Sequence, residues 1–180
     1  MRKMFVSLVV FGMLAASASA QERKSLQVFH DVSKQVQRYA YFTIFDDVSA
    51  SIDGGVVTLA GRVTMPFKKD AIEKRVAHVG GVTSVVNRIQ VLPVSNFDED
   101  LRYQIARAIY GNPSFWQYAS MANPPLHIIV ENGRVILTGV VQNNVERMLA
   151  RSLATGFNTI SVTSELKTDA EVLAALEKVN

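Results

Sequence analysis

The stretch that decides the fold occurs twice, as VSASIDGGVVTLAGRV at residues 48–63 and as LHIIVENGRVILTGVV at residues 126–141. The two copies align without a gap, so that one constant offset places Val48 on Leu126 and Gly61 on Gly139. On both sides of a short glycine-containing turn, apolar residues alternate with other residues, which is the period-two pattern of a half-buried β-hairpin. The sequence therefore predicts a tandem duplication built on two hairpins.

The glycines of this stretch are expected to serve the backbone. In the second copy the turn is Asn132-Gly133, and both residue types tolerate the positive φ that a type I′ hairpin turn requires. Gly61 and Gly139 are expected to end strands or to allow a close backbone approach to the following helix. These positions predict a fold rather than a ligand site.

Helical periodicity flanks each hairpin, and another strand follows. In the first repeat we expect helices at 25–40 and from the N-cap Thr64 to Gly80, then a strand at 84–91. In the second we expect a helix capped by Asn96, a helix at 145–154 and a strand at 160–166. If the helix before the last strand is a right-handed crossover, that strand runs parallel to its neighbour.

The predicted fold class is α+β, with two tandem α-β-β-α-β domains. Each is a three-stranded mixed sheet covered by two helices, and a capping box at 168–171 opens a C-terminal amphipathic helix. The segment Leu92–Ser95 is the predicted domain boundary, which gives a first domain at 21–94 and a second at 95–180.

Residues 1–20 are predicted to be a signal peptide. Arg2 and Lys3 precede an apolar run that ends near Ala16, and Ala18-Ser19-Ala20 gives a cleavage signal before Gln21. The run is short for a membrane span, although an uncleaved anchor is the alternative. The chain contains no cysteine, which excludes disulfides and lipid attachment to a terminal cysteine. We therefore expect a periplasmic or secreted protein.

The charge balance argues against a polyanionic partner. The formal net charge is +3, and loss of Arg2 and Lys3 with the signal peptide leaves +1 on the mature chain. A nearly neutral chain has little long-range attraction for nucleic acid, so nucleic acid is not an expected partner.

The order of elements, with a G-x-V-x-L-x-G hairpin and a V-x-N-x-I strand, resembles the BON domain family. The resemblance rests on 55–61, Gly81-Val82 and 85–89 in the first copy, and on 133–139 and 160–166 in the second. The second copy departs from the pattern at Phe157-Asn158 and at Ser164, which replaces Asn87. The resemblance implies an exported envelope protein associated with phospholipid binding, membrane integrity and osmotic stress, without catalysis or a cofactor.

The residues themselves also argue against catalysis. His30, His78 and His127 lack metal-ligand spacing, and there is no activated-serine or phosphate-loop motif. The acidic pair 46–47 is expected to terminate a strand, and the cluster 98–100 is expected to favour a helix N-terminus. The basic residues between 68 and 75 are expected to form a solvated helix face. We predict no enzyme, no metal and no cofactor.

The connector at 111–125 carries more aromatic residues than a small domain needs there. Together with the preceding helix it is expected to place tyrosine and tryptophan rings at the lipid headgroup boundary, with arginines near lipid phosphates. The alternative is that Phe115 and Trp116 close the end of the core or pack against the other repeat. The candidate membrane-contacting residues are Tyr103, Tyr110, Phe115, Trp116, Tyr118, Arg102 and Arg107.

The favoured function is a non-catalytic binding module of the cell envelope. It is expected to contact membrane phospholipid or another envelope component and to support envelope integrity or stress tolerance. The alternative is a periplasmic protein-interaction or chaperone-like module, which uses exposed sheet edges or the tail helix to hold another envelope protein.

Overall fold

The computed structural model describes residues 26–177, so the predicted signal peptide lies outside the described residues. The first repeat consists of α1 (26–37), β1 (Asp47–Asp53), β2 (Val56–Val63), α2 (Pro66–Ala77) and β3 (Ser84–Val91). The second repeat begins with α3 (Asn96–Tyr110), a 3-10 turn (Pro113–Phe115) and α4 (Trp116–Ala119). It continues with β4 (Leu126–Glu131), β5 (Arg134–Val141), α5 (Asn144–Thr155), β6 (Ser161–Ser164), β7 (Lys167–Thr168) and α6 (Asp169–Glu177).

Both predicted hairpins are present. β1 pairs antiparallel with β2, and β4 pairs antiparallel with β5. Each hairpin has a two-residue turn in which both residues have positive φ, 55° and 85° at Gly54-Gly55 and 51° and 71° at Asn132-Gly133. The third strand of each repeat runs parallel to the second. The predicted α+β class with two tandem mixed-sheet repeats is confirmed.

The last strand of the second repeat is less regular than that of the first. β6 and β7 both pair with β5, and the pairs Val135–Val162 and Val140–Lys167 keep the same register along the chain. They are therefore one strand whose pairing is interrupted, in a sheet with one strand segment more than predicted. Ile160, expected to begin this strand, precedes β6 and is 68% exposed.

Asn87 gives a physical reason for this difference. Its side-chain amide donates to the Lys69 carbonyl at 3.2 Å and to Glu73 Oε2 at 2.8 Å, and its Oδ1 accepts from the Ile89 N–H. The amide thus fastens β3 to α2. Ser164 stands at the equivalent position in the second repeat, and its hydroxyl is buried without a hydrogen-bond partner among the described residues.

Two predicted helix caps are wrong by one residue. Ser95 rather than Asn96 caps α3, because its hydroxyl accepts from the Asp98 N–H at 3.2 Å. Met65 rather than Thr64 occupies the N-cap of α2, with Pro66 in the first turn. The Thr64 hydroxyl instead donates to Asp46, a buried carboxylate discussed below.

Each repeat has its own apolar core between its sheet and its helices. In the first repeat Val32 of α1 and Ile72 of α2 are fully buried against the sheet, whereas Phe29 of α1 is 45% exposed. In the second repeat the consecutive residues Ile128, Ile129 and Val130 are all buried. Because side chains alternate between the faces of a strand, β4 is covered on both faces rather than half-buried.

The connector of the first repeat joins the two repeats. The Ile44 carbonyl accepts from the Ile128 N–H of β4 at 2.7 Å. On either side of Ile44, Phe42 packs on the His127 ring with centroids 5.6 Å apart, and Phe45 packs edge-on against Tyr103 at 5.3 Å. Residues 42–45 therefore form the seam between the repeats.

Gly61 and Gly139 occupy equivalent positions of close backbone contact. A Cβ would lie 2.1 Å from the Asp47 carbonyl oxygen at Gly61 and 1.8 Å from the Pro125 carbonyl oxygen at Gly139. Both glycines have positive φ, 126° and 106° respectively. The close approach is to the carbonyl before or at the start of the neighbouring strand, not to the following helix as the sequence suggested.

Substitution of either glycine by alanine is expected to destabilise its repeat by at least about 1–3 kcal/mol, because the positive φ becomes strained and the new methyl group meets a carbonyl. Denaturant unfolding measures this change. Gly80→Ala is the matched control, since nothing lies within 4 Å of a Cβ there. Equal stability of Gly61→Ala and Gly80→Ala would contradict the prediction.

His127 is expected to make stability depend on pH. Burial lowers the pKa of His127, and the Asp47 charge opposes this only partly. Since an unfolded histidine titrates near about 6.5, the unfolded chain binds more protons below that pH. The free energy of unfolding is therefore unaffected by His127 titration above about pH 6.5. It falls as the pH is lowered from there towards and through the lower folded-state pKa of His127.

Urea unfolding between pH 8 and pH 5 should show a smaller loss of stability for His127→Gln than for the wild type. His30→Gln serves as the control, because His30 is exposed. Identical pH profiles for the wild type and His127→Gln would contradict the assignment.

Candidate functional site

An open, mainly apolar groove of about 750 Å³ runs along α3, and we call it the α3 groove. Its walls come from α3, from the seam and from the long connector of the second repeat. The residues that define it are Ile44, Asp100, Tyr103, Ala106, Arg107, Tyr110 and Ala119.

The spacing along α3 explains the shape of this groove. Tyr103, Ala106 and Tyr110 recur at three and four residues, so they lie on one face of the helix. Ala106 leaves space between the two rings, and Arg107 is exposed beside them. The result is an apolar floor with aromatic ends, and both the Arg107 cation and the Asp100 carboxylate lie at its edge.

The two tyrosines differ in their polar ends. The Tyr110 hydroxyl donates to the Leu126 carbonyl, and burial raises the pKa of Tyr110 well above its ordinary value. Tyr110 therefore stays neutral and presents its ring. Tyr103 is 51% exposed and rests against Phe45 of the seam.

Phe115 and Tyr118 are core residues. Phe115 is fully buried, Tyr118 is 4% exposed, and their ring centroids lie 6.0 Å apart. The Tyr118 hydroxyl donates to Glu146 Oε2 at 2.6 Å, and burial together with this hydrogen bond raises the pKa of Tyr118 to about 12. The predicted membrane contact does not extend to these two rings, because they close the end of the core, as the alternative proposed for Phe115.

Trp116 points away from the core and is 75% exposed. It precedes Ala119 by three residues, so the two lie on the same side of the short helix α4. Ala119 lines the α3 groove, whereas Trp116 does not line it itself and is placed near it only by this helical spacing. The alternative that Trp116 plugs the core is wrong.

Arg102 is not available to a membrane surface. Its side chain is 7% exposed, and Nη2 donates to the Val130 carbonyl at 2.7 Å. It lines a second cavity of about 370 Å³ between the repeats, which we call the inter-repeat groove. The residues that define it are Tyr41, Phe45, Phe67, Val94, Arg102 and Tyr103. The predicted contact of Arg102 with lipid phosphate is therefore wrong.

The structure thus divides the seven candidate residues. Tyr103, Tyr110 and Arg107 come together in the α3 groove, and Trp116 is exposed on α4. Phe115 and Tyr118 lie in the core, and Arg102 lies in the inter-repeat groove.

A buried polar centre at the seam was missed by the sequence reasoning. The fully buried Asp46 carboxylate accepts from the backbone N–H and the hydroxyl of both Thr43 and Thr64, at 2.8–2.9 Å. Lys68 Nζ lies 2.6 Å from Asp46 Oδ2. Lys68 is thus buried rather than solvated, and the signal was its spacing four residues before the core residue Ile72.

Asp98 is a second buried carboxylate. Its two oxygens accept from the Asn132 and Gly133 N–H groups at 2.8 Å each, so α3 holds the turn of the second hairpin. The acidic cluster at 98–100 therefore contributes more than a favourable charge at a helix N-terminus.

Within residues 26–177, no group of three or more histidine, aspartate or glutamate side chains is arranged to hold a metal ion. In the same part of the chain, no helix has the length and apolar character that crossing a membrane requires.

Two solved structures with similarity to this chain are of CdsD, a structural protein of the type III secretion system of Chlamydia trachomatis. Its C-terminal domain is 18% identical, with 83% of this chain and 68% of that chain covered and a TM-score of 0.34. A second CdsD structure is 16% identical, with 84% and 97% covered and a TM-score of 0.28. A comparison with curated proteins found no match.

The model of the BON domain family matches residues 31–93 and 98–175. These ranges cover more than half of the 180 residues and contain both hairpins with their crossover helices. The resemblance inferred from the duplicated hairpin is thereby confirmed, and the chain belongs to the BON domain family, with two domains in tandem.

Proposed function

We propose that this protein is a non-catalytic binding protein of the cell envelope that contacts phospholipid membranes through the α3 groove and Trp116. The observation that carries the proposal is the combination of a large apolar groove, an exposed cation at its side and an exposed indole next to it. Support for envelope integrity or stress tolerance is the role that such a contact would serve.

Each part of the surface suits one layer of a membrane surface. Amphipathic rings such as those of Trp116 and Tyr103 favour the headgroup boundary, where one edge is apolar and the other is wet. The Arg107 guanidinium provides donors for a lipid phosphate. The floor at Ala106 provides apolar contact for the upper part of an acyl chain.

The net charge of the chain indicates whether apolar or electrostatic contact dominates membrane binding. The nearly neutral mature chain has no large field to draw it to an anionic surface, and the groove carries Asp100 as well as Arg107, so binding relies chiefly on apolar contact, with Arg107 as the local cation. The peripheral mode also agrees with an exported protein, since the predicted leader at 1–20 directs the chain to the periplasm or the medium.

The alternative is a protein-interaction module. The strand order of the first sheet is β1-β2-β3, so β3 is an edge strand that no other strand covers within the described residues. An exposed edge of eight residues can add an extended peptide as a further strand. Capture of an unfolded envelope protein without any need for lipid would favour this function.

Trp116→Ala is expected to weaken binding of the full mature chain to phospholipid vesicles by about tenfold, equivalent to roughly 1.4 kcal/mol. The physical reason is the loss of a large ring at the headgroup boundary. Co-sedimentation with vesicles of phosphatidylglycerol and phosphatidylethanolamine, and with phosphatidylcholine vesicles, measures the change. Met148→Ala is the control, because Met148 is 70% exposed on α5, away from the groove.

Arg107→Glu in the same assay should weaken binding to the anionic vesicles only, and most at low salt, since charges are screened beyond about 8–10 Å at ordinary ionic strength. Arg88→Glu makes the same charge change on an exposed residue of β3. Equal effects of Arg107→Glu and Arg88→Glu, or of Trp116→Ala and Met148→Ala, would overturn the proposed surface.

Stability measurements separate the surface residue from its buried neighbour. Phe115→Ala is expected to cost about 3–5 kcal/mol, because a fully buried ring leaves a cavity. Trp116→Ala is expected to change the free energy of unfolding by less than about 0.5 kcal/mol. Denaturant unfolding of both variants tests the assignment, and a large loss for Trp116→Ala would contradict it.

A further inference from the structure

Arg102 is a buried cation that forms no ion pair with any carboxylate among the described residues. Only 7% of its surface is exposed, and Nη2 makes the hydrogen bond to the Val130 carbonyl. Nε is buried without a partner, and no carboxylate of residues 26–177 lies within 4.0 Å of the guanidinium. Burial lowers the pKa of Arg102, which reflects the cost of keeping this charge away from water.

The acids near Arg102 do not satisfy it. Asp46 accepts from Thr43, Thr64 and Lys68, and Asp98 accepts from the turn of the second hairpin. Glu99 lines the same groove, but it is exposed and forms no ion pair with Arg102 within 4.0 Å. Arg102 lines this groove and its buried Nε lacks a partner, so an anion that reached the guanidinium would meet a donor that the described residues leave unsatisfied.

Exposed apolar side chains form much of the wall around Arg102, and the polar residues that line it besides Glu99 are Thr43, Thr64, Lys68 and Ser95. Tyr41 is 62% exposed, Phe67 is 50% exposed, and their rings meet edge to face with centroids 5.7 Å apart. Met65 and Val94 extend this surface and are 49% and 97% exposed. An apolar cleft with a few polar groups that fix orientation is the usual form of a small-ligand site.

We propose that the inter-repeat groove binds a small amphiphile whose carboxylate is held by Arg102 and whose apolar body lies against Tyr41 and Phe67. The planar fork of a guanidinium matches the two oxygens of a carboxylate. The cavity of about 370 Å³ accommodates about 12 non-hydrogen atoms, at the roughly 30 Å³ that a water molecule occupies in the liquid. That size suits a single short acyl chain, not a two-chain phospholipid.

This site is separate from the membrane contact proposed above and does not depend on it. Tyr103 lines both grooves, but Arg102 and Phe67 line the inter-repeat groove and Arg107 lines the α3 groove. Variants of Phe67 and of Arg107 therefore test the two proposals independently.

Decanoate, which has 12 non-hydrogen atoms, is the direct probe of the site. Titration calorimetry of the mature chain at pH 7.5, below the micellar concentration, should show saturable binding of decanoate. Decanol and decyltrimethylammonium should bind at least about tenfold more weakly, because they give Arg102 no carboxylate, a difference of roughly 1.4 kcal/mol. Equal binding of decanoate and decanol would overturn the proposal.

Variants identify the residues that hold the probe. Glu99→Gln should tighten decanoate binding by about threefold or more, since it removes a like charge from the groove. Phe67→Ala should weaken it by about tenfold, whereas Phe29→Ala, a partly exposed ring on α1, should leave it unchanged. Arg102→Lys keeps the charge but loses the fork, so it should weaken decanoate binding while the chain stays folded.

The tests on Glu99 and Phe67 keep the proposal falsifiable even if Arg102→Lys does not fold, because both side chains are exposed. No effect of Glu99→Gln, or equal effects of Phe67→Ala and Phe29→Ala, would overturn it. Tighter binding of decyl phosphate than of decanoate would replace the carboxylate with a phosphate head. Tighter binding of the peptide acetyl-Leu-Leu-Phe would replace the amphiphile with a polypeptide terminus.

Discussion

The buried carboxylate of Asp46 is the constraint on which the arrangement of the two repeats depends. It is fully buried and accepts five hydrogen bonds, from Thr43, Thr64 and Lys68. These donors come from the seam, from the residue after β2 and from α2, so one carboxylate fixes three segments. A buried ion pair is not in itself strong evidence for stability, because desolvation offsets the attraction. Its consequence here is positional, since it holds the chain that carries Phe42, Ile44 and Phe45 into the second repeat.

In the second repeat a different side chain accepts a hydrogen bond from the backbone N–H that follows the second strand of the hairpin. Under the ungapped alignment of the two repeats, Glu146 is the counterpart of Lys68, and Gln142 is the counterpart of Thr64. The Gln142 N–H donates to Glu146 and to the Tyr118 hydroxyl, both at 3.0 Å, where the Thr64 N–H donates to Asp46. In each repeat a side chain from the connector before the hairpin thus satisfies the N–H that follows the second strand. The longer connector at 111–125 places Tyr118 in that role, which explains why aromatic residues occur there.

The duplicated hairpin was predictable because its information is local. Alternation of apolar residues gives the strands, the Asn132-Gly133 pair gives the turn, and an ungapped offset gives the repeat. The connector has no such period, so sequence reasoning treated Phe115, Trp116 and Tyr118 as one surface, whereas they divide between core and solvent. The burial of two charged residues, by contrast, was predictable from the sequence. Arg102 precedes the buried Ile105 by three residues on α3, so its burial was readable from spacing, as was that of Lys68.

The two grooves were not readable in this way, because each needs a contact between repeats that leaves no sequence period. The α3 groove needs Ile44, and the inter-repeat groove needs Phe45 with Tyr103. Ile44 and Phe45 reach the second repeat because Asp46 anchors the seam and the Ile44 carbonyl accepts a hydrogen bond from β4. In a duplicated fold the candidate sites therefore lie where the copies meet, on the helix that begins the second copy. Its first-repeat counterpart, α1, has no preceding repeat among the described residues and so lacks an equivalent seam.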